Sequence, residues 1–249
     1  MLRTLSLFAF IAGAALADPA DELVRAGLAA EAAFNPAAAL RHFQAAAGLR
    51  PDDAFLEQKL ARQFSDLTTS ATEIGQKREL AEQALRHSLR AHELDPADAV
   101  SALSVAISYG KLGLYSSVRD KIAYARLTHD YTAKATELDP DYAWAWSVLG
   151  RWHYEVATLG RTKRFVVALL YGGLPAASTA KAVDYLKRAV ELDPANPVHA
   201  IELGFAFLAD GQPKAARPWW ERGLALPDTA IHDGIAKRRA REALAGLAP

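Results

Sequence analysis

Beyond residue 18 the apolar positions recur every three or four residues, and no stretch of useful length alternates apolar and polar in the rhythm of a strand. The pattern predicts helices throughout. One phrase punctuates them: Glu93-Leu94-Asp95-Pro96, Glu137-Leu138-Asp139-Pro140 and Glu191-Leu192-Asp193-Pro194 each close an Ala-rich helical run. Gly48-Leu49-Arg50-Pro51 and Leu224-Ala225-Leu226-Pro227 are degenerate copies. Proline lacks an N–H and disfavours helix in the residue before it, so each phrase is a helix stop with a built-in turn. Five helical hairpins follow, near 20–51, 52–96, 97–140, 141–194 and 195–228, with a closing helix at 229–247.

The intervals between the prolines are 45, 44, 54 and 33 residues. A tetratricopeptide repeat has a period of about 34, so the last interval is nearly one unit and the others read as one unit with an insertion. Side chains agree with the spacing. The second helix of such a repeat needs a small residue, a large one four later and a small one three further on, because the large side chain plugs the gap that the small ones leave. Ala39, Phe43 and Ala46 fit, as do Ala182, Leu186 and Ala189, and Ala216, Trp220 and Gly223. Ala84, Ser88 and Ala91 fit less well, and Thr128, Thr132 and Ala135 poorly. First helices carry the complementary Trp146-x2-Leu149-Gly150 and Leu203-Gly204-x2-Phe207. The expected fold is all-α: a tetratricopeptide-like superhelix of about five hairpins plus a C-terminal capping helix, forming a single domain over 18–249 with an insertion at 161–178.

The first residues read differently. Arg3 precedes an apolar stretch from Leu5 to Leu16, and Ala15-Leu16-Ala17 offers a small-residue cleavage site before Asp18. This is the layout of a signal peptide over 1–17, and the expected destination is a periplasm. The run of 12 residues is shorter than the roughly 20 that a spanning helix needs.

Composition narrows the chemistry. The 249 residues carry 29 Lys and Arg against 29 Asp and Glu, and such neutrality argues against a general nucleic-acid binder. No cysteine is present, which removes disulfides, thiolate nucleophiles and thiolate metal sites. Arg outnumbers Lys 19 to 10, the bias of a GC-rich bacterial source. His42, His87, His92, His129, His153, His199 and His232 form no metal-ligand spacing and read as satisfied surface or groove histidines. Nucleophile-elbow, P-loop and dinucleotide fingerprints are absent, so neither an enzymatic role nor a cofactor is expected. Lys237, Arg238, Arg239 and Arg241 read as the solvated face of the capping helix.

Stacked hairpins curve, and their first helices line the concave face. Projecting the repeat register gives Phe55, Gln58 and Arg62 as inward positions of the second hairpin, and Val100, Leu103 and Ile107 of the third. The fourth gives Trp144, Ser147, Arg151, Tyr154 and Glu155, and the fifth Val198, Ile201, Phe205 and Leu208. Two of these four sets are apolar, and an apolar surface of that extent is expected to be covered. Nearby in sequence, Arg161, Lys163 and Arg164 open the insertion, followed by the apolar Phe165 to Tyr171. A segment apolar all round is buried or lipid-facing, and the cations ahead of it suit a phosphate or an anionic membrane surface. Two readings stand side by side. In one, Val100, Leu103, Ile107, Trp144, Tyr154, Ile201, Phe205 and Leu208 line a groove for a phospholipid or other hydrophobic ligand, with Arg151, Arg161, Lys163 and Arg164 at its head group. In the other, the insertion helix plugs the groove and the protein is a scaffold for protein partners.

A family resemblance rests on further residues: Lys121-Ile122-Ala123, the run Tyr131 to Pro140, Gly150-x-Trp152-x-Tyr154, the basic-apolar insertion ending in Leu174-Pro175-Ala176-Ala177-Ser178-Thr179, then Lys181-Ala182-x2-Tyr185-Leu186-x-Arg188-Ala189 and Ala215-Ala216-x2-Trp219. Together they resemble the tetratricopeptide-like domain of the regulator of microtubule dynamics family, over Gly113 to Pro227 above all. The resemblance implies a non-enzymatic adaptor domain, associated in a mitochondrial member with phospholipid binding and transfer at membrane contacts. The chain departs from that pattern in its secretory leader, which marks it as a secreted bacterial-type relative, and in lacking an acidic tract with paired aromatics for docking on a receptor.

Overall fold

The computed structural model describes residues 18–247; the expected signal peptide lies outside them, as do the side chains of Arg161 and Arg164. Among the described residues there are twelve α-helices and no strand. The first hairpin pairs α1 (Pro19–Ala32) with α2 (Pro36–Leu49), the second α3 (Ala54–Leu67) with α4 (Ile74–Leu94), and the third α5 (Ala99–Leu114) with α6 (Val118–Leu138). In the fourth, α7 (Ala143–Ala157) pairs with α9 (Thr179–Leu192) across the short α8 (Arg161–Tyr171). The fifth pairs α10 (Pro197–Ala209) with α11 (Pro213–Ala225), and α12 (Asp233–Gly246) closes the chain. Each second helix packs on the next first helix, and α3 touches α5 as α7 touches α10, so the hairpins stack into a superhelix.

Local chemistry sets the boundaries. Helices α4, α6 and α9 end at Leu94, Leu138 and Leu192, immediately before the Asp-Pro of the three repeated phrases. After each turn a polar residue caps the next helix where one is available: the Asp98 carboxylate accepts from Ser101 N at 2.8 Å, and the Asn196 side-chain oxygen accepts from Val198 N at 3.0 Å. The extra residues of the second and third hairpins go largely into length. Helices α4 and α6 have 21 residues each, against 14 in α2 and α9. The larger surplus of the fourth hairpin becomes α8.

The small-large-small sets meet as the register requires. Ala39, Phe43, Ala46, Ala182, Leu186, Ala189, Ala216 and Trp220 are all fully buried. Opposite Leu186 the sequence places Gly150, where an added Cβ would stand 2.6 Å from Leu186 Cγ; only glycine allows this approach. The set that fits worst is rescued by a hydrogen bond: buried Thr132 donates its hydroxyl to Thr128 O at 2.6 Å, so the polar atom is not orphaned.

The closing helix departs from its expected role as a solvated cap. It packs on α10 and α11, with Ala236 and Ala240 joining the cluster of Ile201, Phe207 and Trp220. Two of its four cations turn inward. Lys237 Nζ lies 2.6 Å from Leu226 O and from Asp228, and Arg239 reaches Glu202 at 2.8 Å. Only Arg238 and Arg241 keep the exposed position expected of all four. The reason is that α12 lies across α10 and α11, where Arg239 finds the buried Glu202 of α10 and Lys237 the carbonyl and carboxylate of the linker that precedes it.

Candidate functional site: the concave face and the helix standing off it

Two polar clusters occupy the inner side of the stack. In the first, Glu31 near the end of α1 accepts from Lys59 at 3.2 Å and Gln63 at 3.1 Å and pairs with Arg62 at 2.9 Å, all from α3. One turn on, Asp66 faces Arg62 and the α12 cap residue His232, each at 3.8 Å. Lys111 of α5 donates to Ser65 O at 2.5 Å and to Thr68 Oγ1 at 3.3 Å. Burial dominates here: it raises the Asp66 carboxyl above the usual range and lowers Lys111 and His232, while Lys111, His232 and Arg62 pull Asp66 back down. Between these groups and the linker into α12 lies a cavity of about 350 Å³. Leu28, Glu31, Ala32, Phe34 and Pro36 wall one side, Arg62, Gln63 and Asp66 a second, and Asp228 to Ile231 a third.

The second cluster centres on Glu202 of α10, which is buried. It accepts from the Tyr154 hydroxyl at 2.5 Å, pairs with Arg239 at 2.8 Å and lies 3.6 Å from Arg151, itself bonded to Glu155 at 2.8 Å. Burial, then the neighbouring Glu202 charge, pushes the Tyr154 phenol well up, whereas Glu202 above all keeps Arg151 charged. Arg239 also lies over the Phe205 ring, 4.4 Å from its centroid. Helix α12 is thereby pinned to the inner helices of the fourth and fifth hairpins.

Around this arrangement the twelve residues expected at a ligand site divide into four groups. Arg151, Tyr154 and Phe205 come together about Glu202 and Arg239. Leu103 and Ile201 are buried in the core, Trp144 packs edge-on against His199 at 4.7 Å, and Ile107 is half-buried beside it in the third-hairpin cluster. Val100 and Leu208 remain exposed. Lys163 belongs to α8 and is exposed there, as the backbone positions of Arg161 and Arg164 also belong to α8. Of all the helices, α8 makes its main contact with α6, so it does not fill the concavity; the linker into α12 forms one wall of the cavity there and leaves it open.

Sequence reasoning missed Glu31, Asp66, Lys111 and Glu202. A signal existed for one of them: Glu202 is the sole charge in the apolar α10, on the turn between Ile201 and Phe205. The histidine reading also needs correction. His199 is fully buried, and neither ring nitrogen has a hydrogen-bond partner among the described residues. Burial lowers its pKa to about 4, and the same cause, followed by His129 and Lys181, lowers buried His153 to about 4.

Among the described residues, side-chain hydrogen bonds hold α8 at its C-terminal end. Gly172 and Gly173 take φ of 75° and 81°, which reverses the chain, and Arg126 of α6 donates to the freed carbonyls of Tyr171 and Gly173, the latter at 2.7 Å from Nε. Its other end starts at Gly160 with no capping side chain.

Comparison with known proteins agrees with this architecture. A thermophilic TPR protein of Thermus thermophilus superposes with a TM-score of 0.65 at 21% identity, covering 91% of this chain and 99% of that one. MamA of Desulfovibrio magneticus RS-1, from residue 41 onward, gives 0.52 at 16%, covering 85% and 97%. At such identities these structures establish the fold. By sequence, Regulator of microtubule dynamics protein 1 of Bos taurus is 28% identical over 198 residues, 79% of this chain and 62% of the relative. Regulator of microtubule dynamics protein 3 of Xenopus laevis is 26% identical over 176 residues, 70% of this chain and 38% of the relative. The chain therefore spans about three fifths of the bovine relative's length. Residues 18–248 match the family described as Regulator of microtubule dynamics protein 1-3; the chain belongs to that family.

Proposed function

We propose that the protein is a non-enzymatic adaptor whose concave face receives a polypeptide segment of a protein partner, in the periplasm if residues 1–17 direct it there. The observation that carries the reading is the ion-paired wall of the 350 Å³ cavity, with Glu31, Arg62 and Asp66 on one side and the Asp228–Ile231 linker on the other. An acyl chain laid there would meet the apolar Leu28, Phe34 and Ile231 but would also strip water from Glu31, Arg62 and Asp66 without replacing it, at several kcal/mol. A peptide backbone and its charged side chains replace that water with hydrogen bonds. Membership of a family of tetratricopeptide-like domains supports the same reading.

The test uses the full chain purified without detergent. A stoichiometric partner, crosslinked to the chain and lost in Arg62→Glu while Arg238→Glu retains it, would support the adaptor. A hydrophobic-ligand reading keeps a foothold in the exposed Phe55, Val100 and Leu208 of the first helices. Native mass spectra that show a bound phospholipid, displaced in Val100→Asp, would replace the adaptor with that reading.

A further inference from the structure

Helix α8 is the one helix whose sequence and surroundings disagree. Phe165 and Leu169 lie one turn apart, as do Val166 and Leu170, and the four share one side of the helix. All four are between 42% and 69% exposed. Every other described helix exposes at most two large apolar side chains; here four are presented outward on a helix whose main contact is α6.

Charge is distributed as unusually as apolar surface. The whole run 156–183 contains no Asp or Glu and four cations, in a chain whose charges balance overall. Three of the four, Arg161, Lys163 and Arg164, sit in the first turn of α8. Cations there oppose the positive end of the helix dipole, and no side-chain acceptor caps that end. External anions would relieve both. At 11 residues α8 is about 16 Å long, about half of a bilayer's hydrocarbon core; among the described residues no helix is long and apolar enough to cross a membrane. A helix of this kind lies in the plane of a membrane surface, with its apolar side chains below the phosphates and its cations beside them.

We infer that α8 is a membrane-docking element that seats Phe165, Val166, Leu169 and Leu170 in the interface of an anionic phospholipid bilayer, with the basic first turn on the lipid phosphates. Docking leaves the concave face free, so this surface is independent of the partner site proposed above and its test can fail without affecting that one. The carboxylate-free run selects a bilayer over a protein groove: a lipid surface offers a continuous anionic layer above hydrocarbon, which matches apolar and basic residues side by side.

Flotation of the full chain with vesicles tests this. Vesicles of phosphatidylcholine with about 30 mol% phosphatidylglycerol are expected to carry the protein, and pure phosphatidylcholine vesicles to carry about tenfold less. Phe165→Ser with Leu169→Ser should reduce partition about tenfold, and Lys163→Glu severalfold, with Lys163→Arg restoring it. Because these side chains are exposed, the variants should keep the parent circular dichroism and melting temperature, and comparison within the same chain cancels any contribution from residues 1–17. Equal flotation of parent and double variant, or equal binding to neutral and anionic vesicles, overturns the proposal. A concentration-dependent dimer that the double variant abolishes, without vesicle binding, also overturns it and assigns the face to a second copy of the chain.

Discussion

Replacing Glu202 by alanine removes the acceptor that holds α12 against the inner helices, and the structure sets the size of the effect. Breaking a buried ion pair costs about 3–5 kcal/mol when the surviving charge stays buried. Here the surviving guanidinium groups of Arg239 and Arg151 have side chains 34% and 48% exposed, so water can reach them. What remains uncompensated is the Tyr154 hydroxyl, buried and deprived of its acceptor at 2.5 Å, a loss of about 1–3 kcal/mol. The expected total is about 2 kcal/mol, which for a domain of this size lowers the melting temperature by roughly 4–8 °C. Arg239→Ala should cost less, about 1 kcal/mol, since Arg151 still faces Glu202. In the double variant the two losses should not add, because they share one interaction. Thermal circular dichroism gives the totals, and hydrogen exchange over 233–246 shows whether α12 loosens first. A Glu202→Ala protein that melts within a degree of the parent, with α12 amides equally protected, would refute the view that this pair anchors α12.

Other outcomes follow from the packing and the titrating groups. Gly150→Ala forces a Cβ to 2.6 Å from Leu186 Cγ and 3.1 Å from Ala182 O; overpacking should outweigh the gain in helix propensity and cost about 1 kcal/mol by urea denaturation. Gly48→Ala, where the new Cβ meets nothing within 4 Å, should have the opposite sign and stabilise by about 0.5–1 kcal/mol. Burial holds His199 at about 4 in the folded protein, so between pH 6.5 and 4 the unfolded chain binds more protons. The His199 contribution should be fully present above pH 6.5 and fall by up to about 3 kcal/mol on acidification through that window; His153, also held at about 4, acts over the same range, so His199→Gln should reduce the slope in pH-dependent melts without abolishing it. Arg126→Ala removes the donor to Tyr171 O and Gly173 O. Exchange over 161–173 should accelerate while the global melting temperature moves little, since α8 packs on little else.

How much of this was legible in advance depends on the range of the interaction. The three Glu-Leu-Asp-Pro phrases end helices at Leu94, Leu138 and Leu192 because proline's effect acts within one residue of its position. The knob positions Phe43, Leu186 and Trp220 are buried because the spacing of small and large residues within one helix already fixes which side chain meets the paired helix. Glu31 was hidden because the projected register covered the first helices of the second to fifth hairpins and left out α1.

An all-helical chain, the hairpins with their stops, and an apolar insertion led by cations could all be read from the order of residues, since each depends on positions close together. The inward turn of α12 could not: it rests on pairs such as Arg239 with Tyr154, 85 residues apart, and His232 with Asp66. Nor could the placement of α8 outside the concavity, on α6. Hairpin formation is settled by local packing, whereas the side on which a terminal or inserted helix comes to rest depends on which buried charges and apolar surfaces distant hairpins bring within its reach.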